Sequence, residues 1–312
     1  MDTFVNVLGL ILSGMLISTP PLLLAALGSV FSEKSGVVNI GIEGMMTIGA
    51  FVGAVGAYYT HNGWIGFLLG GCAGMVLGLV HAFACVTCGA DQTIAGTAIN
   101  FIGPGLALFL CKAMFDNSSD TPSLPTEYKI PKLFKGVFKS GSFGYNVFGT
   151  YSAVWVSFIL VAVIWFVFYK TSFGMRLRAA GEHPEACETL GIDVFKVRYA
   201  CVLLSGFLAG LGGAFVTLAT VSQFRPTVIV GQGFIAIAAV IFGKFTPQGA
   251  FLGCLLFGLC NGLKSVLSAM GSTVSPNILS MIPYIVTILV LILFVGAGRV
   301  PAANGKPYIK SK

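Results

Sequence analysis

Apolar residues fall in long runs at about 4–30, 37–60, 64–87, 93–115, 151–169, 199–221, 231–243, 248–268 and 278–296, nine in all. A helix needs about 20 mostly apolar residues to cross about 30 Å of hydrocarbon, so most of these runs predict transmembrane helices. Two of them are irregular. The seventh is too short to cross comfortably, and the second carries Asn39 and Glu43; either is open to being a broken or re-entrant segment. The pattern predicts an all-α polytopic bundle of about eight to ten membrane helices, with residues 1–312 as one transmembrane domain. The first run starts at Phe4 with no basic stretch before it and no small-residue cleavage site, and reads as a retained helix.

Two long polar stretches interrupt the runs, 116–149 and 170–198, and they should lie on opposite sides of the helix between them. The second holds Lys170, Arg176, Arg178, Lys196 and Arg198, and the C-terminal tail adds Arg299, Lys306, Lys310 and Lys312. Cytoplasmic loops of membrane proteins carry the excess of Lys and Arg, which places both segments in the cytoplasm. The 116–149 loop is then extracellular, although its Lys129, Lys132, Lys135 and Lys139 pull mildly the other way.

Glycines recur at four-residue spacing: Gly49 and Gly53; Gly70, Gly74 and Gly78; Gly206 and Gly210; Gly258 and Gly262. In lipid, close backbone approach over such small faces is what joins helices, so one compact bundle is expected. Composition agrees: 56% of residues are hydrophobic and 9% charged, against about 25% charged in soluble domains. The net charge of +7 comes from cations lying between apolar runs, not on one basic face, so no nucleic-acid surface is expected. The eight cysteines are scattered singly except for Cys85 and Cys88, which suits packing near a helix end and not a disulfide framework.

Of the eleven carboxylates only Glu43 lies well inside an apolar run. An ionisable group there is costly and ordinarily faces a cavity or a partner. Its surroundings, Asn39 to Met46 with Gly41 and Gly44, could interrupt a helix and free backbone groups for a solute; a hydrogen bond to a neighbouring helix is the structural alternative. A second polar cluster opens the fourth run, where Gln92, Thr93, Gly96 and Asn100 fall near one helix face. Such amides either read a polar solute or tie helices together. In the 170–198 stretch, Gly181, Glu182, Pro184, Glu185, Ala186, Glu188, Leu190 and Gly191 outline a short helix under the membrane, opened by proline and closed by glycine, that offers a knob to a soluble partner.

Catalytic patterns are missing from the sequence. Gly243-Lys244 is followed by Phe245, so there is no phosphate-binding loop, and the three histidines lie in separate segments without metal-ligand spacing. No ATP hydrolysis, metal or cofactor is expected on this chain.

Four stretches, Glu33 to Gly44, Gln92 to Asn100, Gly181 to Gly191 and Gly233 to Ala250, resemble the branched-chain amino acid and sugar type permeases of ATP-binding cassette importers, in the branch serving nucleosides through basic membrane lipoproteins. Cys187 departs from the alanine of the wider permease motif at that position. The resemblance implies a multi-pass protein of a bacterial cell membrane with a second, related permease, an ATPase carrying ATP and magnesium, and an extracellular solute-binding lipoprotein as partners. It makes Pro184 to Leu190 the coupling helix and sets Asn39, Glu43, Gln92, Thr93 and Asn100 near a nucleoside pathway. Sugars or branched-chain amino acids are the alternative solutes, and a proton-coupled secondary transporter is the alternative mechanism.

Overall fold

The structure, a computed structural model, describes residues 2–134, 142–269, 276–294 and 300–308; Lys135, Lys139, Arg299, Lys310 and Lys312 lie outside them. The helices are α1 (Asp2–Lys34), α2 (Ile42–Thr60), α3 (Gly63–Ala82), α4 (Gln92–Met114), α5 (Phe143–Phe148) and α6 (Ser152–Lys170), then α7 (Ser172–Glu182), α8 (Pro184–Thr189), α9 (Val194–Phe215), α10 (Gln232–Phe242), α11 (Pro247–Ala269) and α12 (Pro276–Phe294). Wider π turns extend α3 over Phe83–Thr87 and α9 over Val216–Val221. Each of the nine apolar runs corresponds to one helix, and among the described residues no β-strand forms. Cys85 and Cys88 fall in and just after the π turn that ends α3, the helix-end position expected of them.

Side chains set several helix starts. Asn62 accepts from the Trp64 N–H at the head of α3, Asp91 from Thr93 and Ile94 at α4, and Asp193 from Lys196 at α9. Each fills a donor that the helix itself leaves open.

Among the described residues six helices, α1, α3, α4, α6, α9 and α11, are long and apolar enough to cross a membrane. The most central is α9, with 83% of its apolar window buried against 28% for α4 and α6. It packs with α2 and α3 through the spaced glycines. A Cβ on Gly74 would stand 2.3 Å from the Gly206 carbonyl oxygen, and one on Gly49 would stand 2.4 Å from that of Gly210. Only glycine permits these backbones to lie so close, as the spacing predicts. α1 pairs with α11 in the same way, through Gly14 against Gly262 and Thr19 against Gly258.

Two crossings are broken. Residues 35–41 follow α1 without helical structure before α2 begins, and residues 222–231 do the same before α10. At 11 residues, α10 is about 16 Å long, half a crossing, and the segment before it runs through turns and bends. The first turns of α2 and α10 meet inside the bundle and the helices run away from one another. α2 ends where His61 stacks on Tyr128, and α10 ends where Gly243 packs on Gly249 and Ala250. The two irregular runs of the sequence are therefore one feature, a pair of opposed half-broken crossings that share a junction. The described parts of loops 116–149 and 170–198 lie at opposite ends of α6, as expected.

Candidate functional site

Backbone freed by the first break has to find partners at membrane depth. Polar side chains from three helices supply them. The Val38 N–H donates to Gln92 Oε1 at 2.7 Å and the Val38 carbonyl accepts from His81 Nε2 at 3.0 Å. Asn100 bridges both sides of the break, donating to the Ile40 carbonyl and accepting from the Gly44 N–H, each at 2.9 Å. Asn39 is fully buried and donates to Ser205 Oγ at 3.0 Å. Asn39, Gln92 and Asn100 thus act as the fasteners of the broken segment. Thr93 is exposed on the other side of α4 and takes no part, a correction to the face drawn from the sequence.

Glu43 stands at the junction. Its Oε1 accepts from the Gly231 N–H at 2.5 Å and its Oε2 from the Gly233 N–H at 3.0 Å. An acidic group at the positive end of α10 satisfies donors that the helix start leaves open. Gly231 is left-handed, with φ of 73°, and a Cβ on Gly233 would stand 2.7 Å from the Glu43 nitrogen, so both glycines are needed for this seat. Of the two roles open to Glu43, the structure supplies the hydrogen bond to a neighbouring helix.

Gln232, between those glycines, opens onto a cavity of about 360 Å³ bounded by α1, α9, α10, α11 and α12. Ser18, Thr220, Asn261, Lys264, Ser265 and Tyr284 give it a polar wall, set against Pro21, Leu22, Ile235 and other apolar groups. A chamber that sets convergent polar groups beside apolar ones suits a small polar solute. None of the five pathway residues drawn from the sequence lines it; Glu43 reaches it only by holding α10.

At the end of the bundle that holds Lys34 and Lys170, α8 forms the elbow expected from Pro184 and Gly191, with φ of 76° at the glycine. The helix stops at Thr189, and Leu190 follows it as a cap, 79% exposed. Glu182, Glu185, Ala186 and Gly191 are also exposed, whereas Gly181 and Cys187 are buried. Cys187 packs with Ala180 and Val194, and burial pushes its thiol above the ordinary range, so it serves as a small apolar group in place of the motif's alanine. A Cβ on Gly181 would stand 2.2 Å from the Lys34 carbonyl oxygen. The elbow is thereby seated on the end of α1, at the mouth of the 35–41 break.

Residues 300–308 return across this elbow. The Ala303 N–H donates to the Gly181 carbonyl at 2.9 Å, Asn304 donates to Glu33 at 2.6 Å, and Tyr308 donates to Glu188. Arg198 donates to the Lys306 carbonyl at 3.2 Å and lies over the Tyr308 ring. Burial, with the Glu188 contact behind it, pushes the Tyr308 phenol up to about 12, which keeps it a donor. A groove of about 540 Å³ remains between this strap and α8.

A family model described as branched-chain amino acid transport system / permease component matches residues 11–291. The chain belongs to this permease family. The permease is 39% identical to the nucleoside ABC transporter permease protein NupC of Lactococcus lactis and 40% identical to the guanosine ABC transporter permease protein NupQ of Bacillus subtilis, with 99% of each chain covered in both cases. The guanosine ABC transporter permease protein NupP of Bacillus subtilis is 26% identical over 89% of this chain and 78% of its own. A solved ABC transporter in an inward-facing conformation aligns at 16% identity and a TM-score of 0.47, covering 92% of this chain and 82% of that one.

Several working residues of the permease escaped sequence reasoning. Glu33, 6% exposed, lies just past the first apolar run, and His81 and Ser205 look like ordinary helix residues until the break docks on them. Asn261 and Lys264 sit near the end of an apolar run, where polar residues ordinarily mark the interface and draw no attention.

Proposed function

We propose that this chain is the nucleoside-translocating permease subunit of an ATP-binding cassette importer in a bacterial cell membrane. The observation that carries the reading is the likeness, at 39% and 40% identity over 99% of each chain, to permeases of nucleoside and guanosine transporters. ATP and magnesium belong to a partner ATPase, a second related permease completes the membrane unit, and an extracellular lipoprotein delivers the solute. The elbow end is cytoplasmic in this reading. It gathers Lys34, Lys170, Arg176, Arg178, Lys196, Arg198, Lys244 and Lys306, against Lys112, Lys129, Lys132 and Arg225 at the other end.

The mechanism follows a continuous line of contacts. The ATPase grips α8; Gly181 passes its motion to the Lys34 end of α1 and to the 35–41 break; Glu43 passes it to α10; and Gln232 on α10 moves one wall of the cavity. ATP binding shifts the population of two states by contacting them differently at the elbow. Both oxygens of Glu43 are occupied by backbone donors, which weighs against a proton relay through it.

Uptake of labelled nucleosides in cells with the gene deleted and restored tests the reading. Loss of uridine or guanosine uptake on deletion, with recovery on restoration, supports it. Loss of ribose or leucine uptake with nucleoside uptake intact assigns the permease to another solute.

A further inference from the structure

Lys264 is a charge that neither the fold nor the coupling line uses. It lies on α11 three residues beyond Asn261, half-buried in the wall of the cavity, and among the described residues it has no hydrogen-bond or ion-pair partner. Glu43, the carboxylate across the junction, has both oxygens on α10 and does not compensate it. An ammonium held half-buried in a cavity wall, with no partner among the described residues, is available to a solute that enters the cavity.

The chemistry of this wall restricts what fits. An ammonium has three donors and no acceptor, so the solute atoms facing it must accept. Gln232 and Asn261 can each donate and accept, and Tyr284 offers an aromatic face beside them. A purine with an oxygen at its sixth position presents two adjacent acceptors, O6 and N7, the edge that lysine reads in nucleic acids. Adenine presents an amino donor at the same place, and two donors facing one another leave the half-buried ammonium unmatched.

We infer that Lys264 is a specificity-determining residue of the membrane step, favouring nucleosides with an oxo base over those with an amino base at the position it faces. The inference rests on the nucleoside reading of the cavity. Selection of this kind is separate from whatever the delivering lipoprotein selects, because it acts on maximal rate once the lipoprotein is saturated.

The test is the ratio of maximal inosine to maximal adenosine uptake by the complete importer in proteoliposomes, with the same lipoprotein throughout. Lys264→Gln should lower that ratio about tenfold, mainly by slowing inosine, and Lys264→Arg should keep most of it. An unchanged ratio in Lys264→Gln overturns the inference. Should that variant fail to assemble, the wild-type importer decides: inosine must outrun purine riboside, which lacks the oxygen, by a similar factor, and equal rates overturn the inference. Wild-type transport of sugars or branched-chain amino acids without nucleosides defeats the nucleoside reading itself, and is seen before any variant is made.

Discussion

Glu43 fills the two open donors at the start of α10, and its removal would leave the Gly231 and Gly233 N–H groups without acceptors. A buried donor left unsatisfied costs about 1–3 kcal/mol. Glu43→Ala should therefore reduce uptake at least tenfold while membrane levels fall less, because α10 keeps its packing on α1 and α11. Uptake normalised to the amount of assembled protein checks this, and loss of folded protein in proportion to uptake would make Glu43 purely structural. The residues that mattered here were partly legible. Glu43, Asn39, Gln92 and Asn100 stood out as polar groups in apolar runs, but sequence could not say that Glu43, Gln92 and Asn100 would meet freed backbone and Asn39 the Ser205 hydroxyl, since that depends on where the 35–41 break docks. Lys264 was hidden for another reason: four residues from the end of the 248–268 run, a lysine ordinarily snorkels to the interface.

Among the elements, α8 was the most legible, because proline at its start and glycine beyond its end announce a helix without long-range contacts. The strap at 300–308 was illegible, being short, aperiodic and held by partners as distant in sequence as Glu33. It also divides two glutamates that looked equivalent. Glu185 is exposed, whereas Glu188 accepts from Tyr308. Glu185→Lys combined with Leu190→Asp should sharply reduce co-purification of the ATPase without changing the melting temperature of the permease in detergent; unchanged co-purification would refute the elbow as the docking site. Tyr308→Ala with Asn304→Ala should loosen the strap, giving faster hydrogen exchange at 300–308 and around Gly181 with the transmembrane core unaffected. Slow exchange in that variant would mean that the remaining Arg198 and Gly181 contacts suffice.

At the scale of the whole molecule, one core of α2, α3 and α9 supports two half-broken crossings that meet at Glu43. The glycine spacing gave away the close helix pairs, and the composition gave away the membrane. The opposed direction of the two breaks was out of reach, because it arises from how distant segments pair. Gly74→Leu should be among the most damaging single changes: a side chain there meets the Gly206 carbonyl, which belongs to a helix backbone that cannot retreat. Overpacking of this kind costs about 1–3 kcal/mol or more. A lower yield of monodisperse protein and an earlier thermal transition in detergent would register it, whereas a wild-type melting curve would show that α3 and α9 can part. The central claim, a permease driven by an external ATPase, is tested most directly by nucleoside uptake into proteoliposomes holding this chain alone or with its ATPase, second permease and lipoprotein. The expected result is uptake only by the complete assembly and only with ATP; uptake by the lone chain under a pH gradient would contradict it.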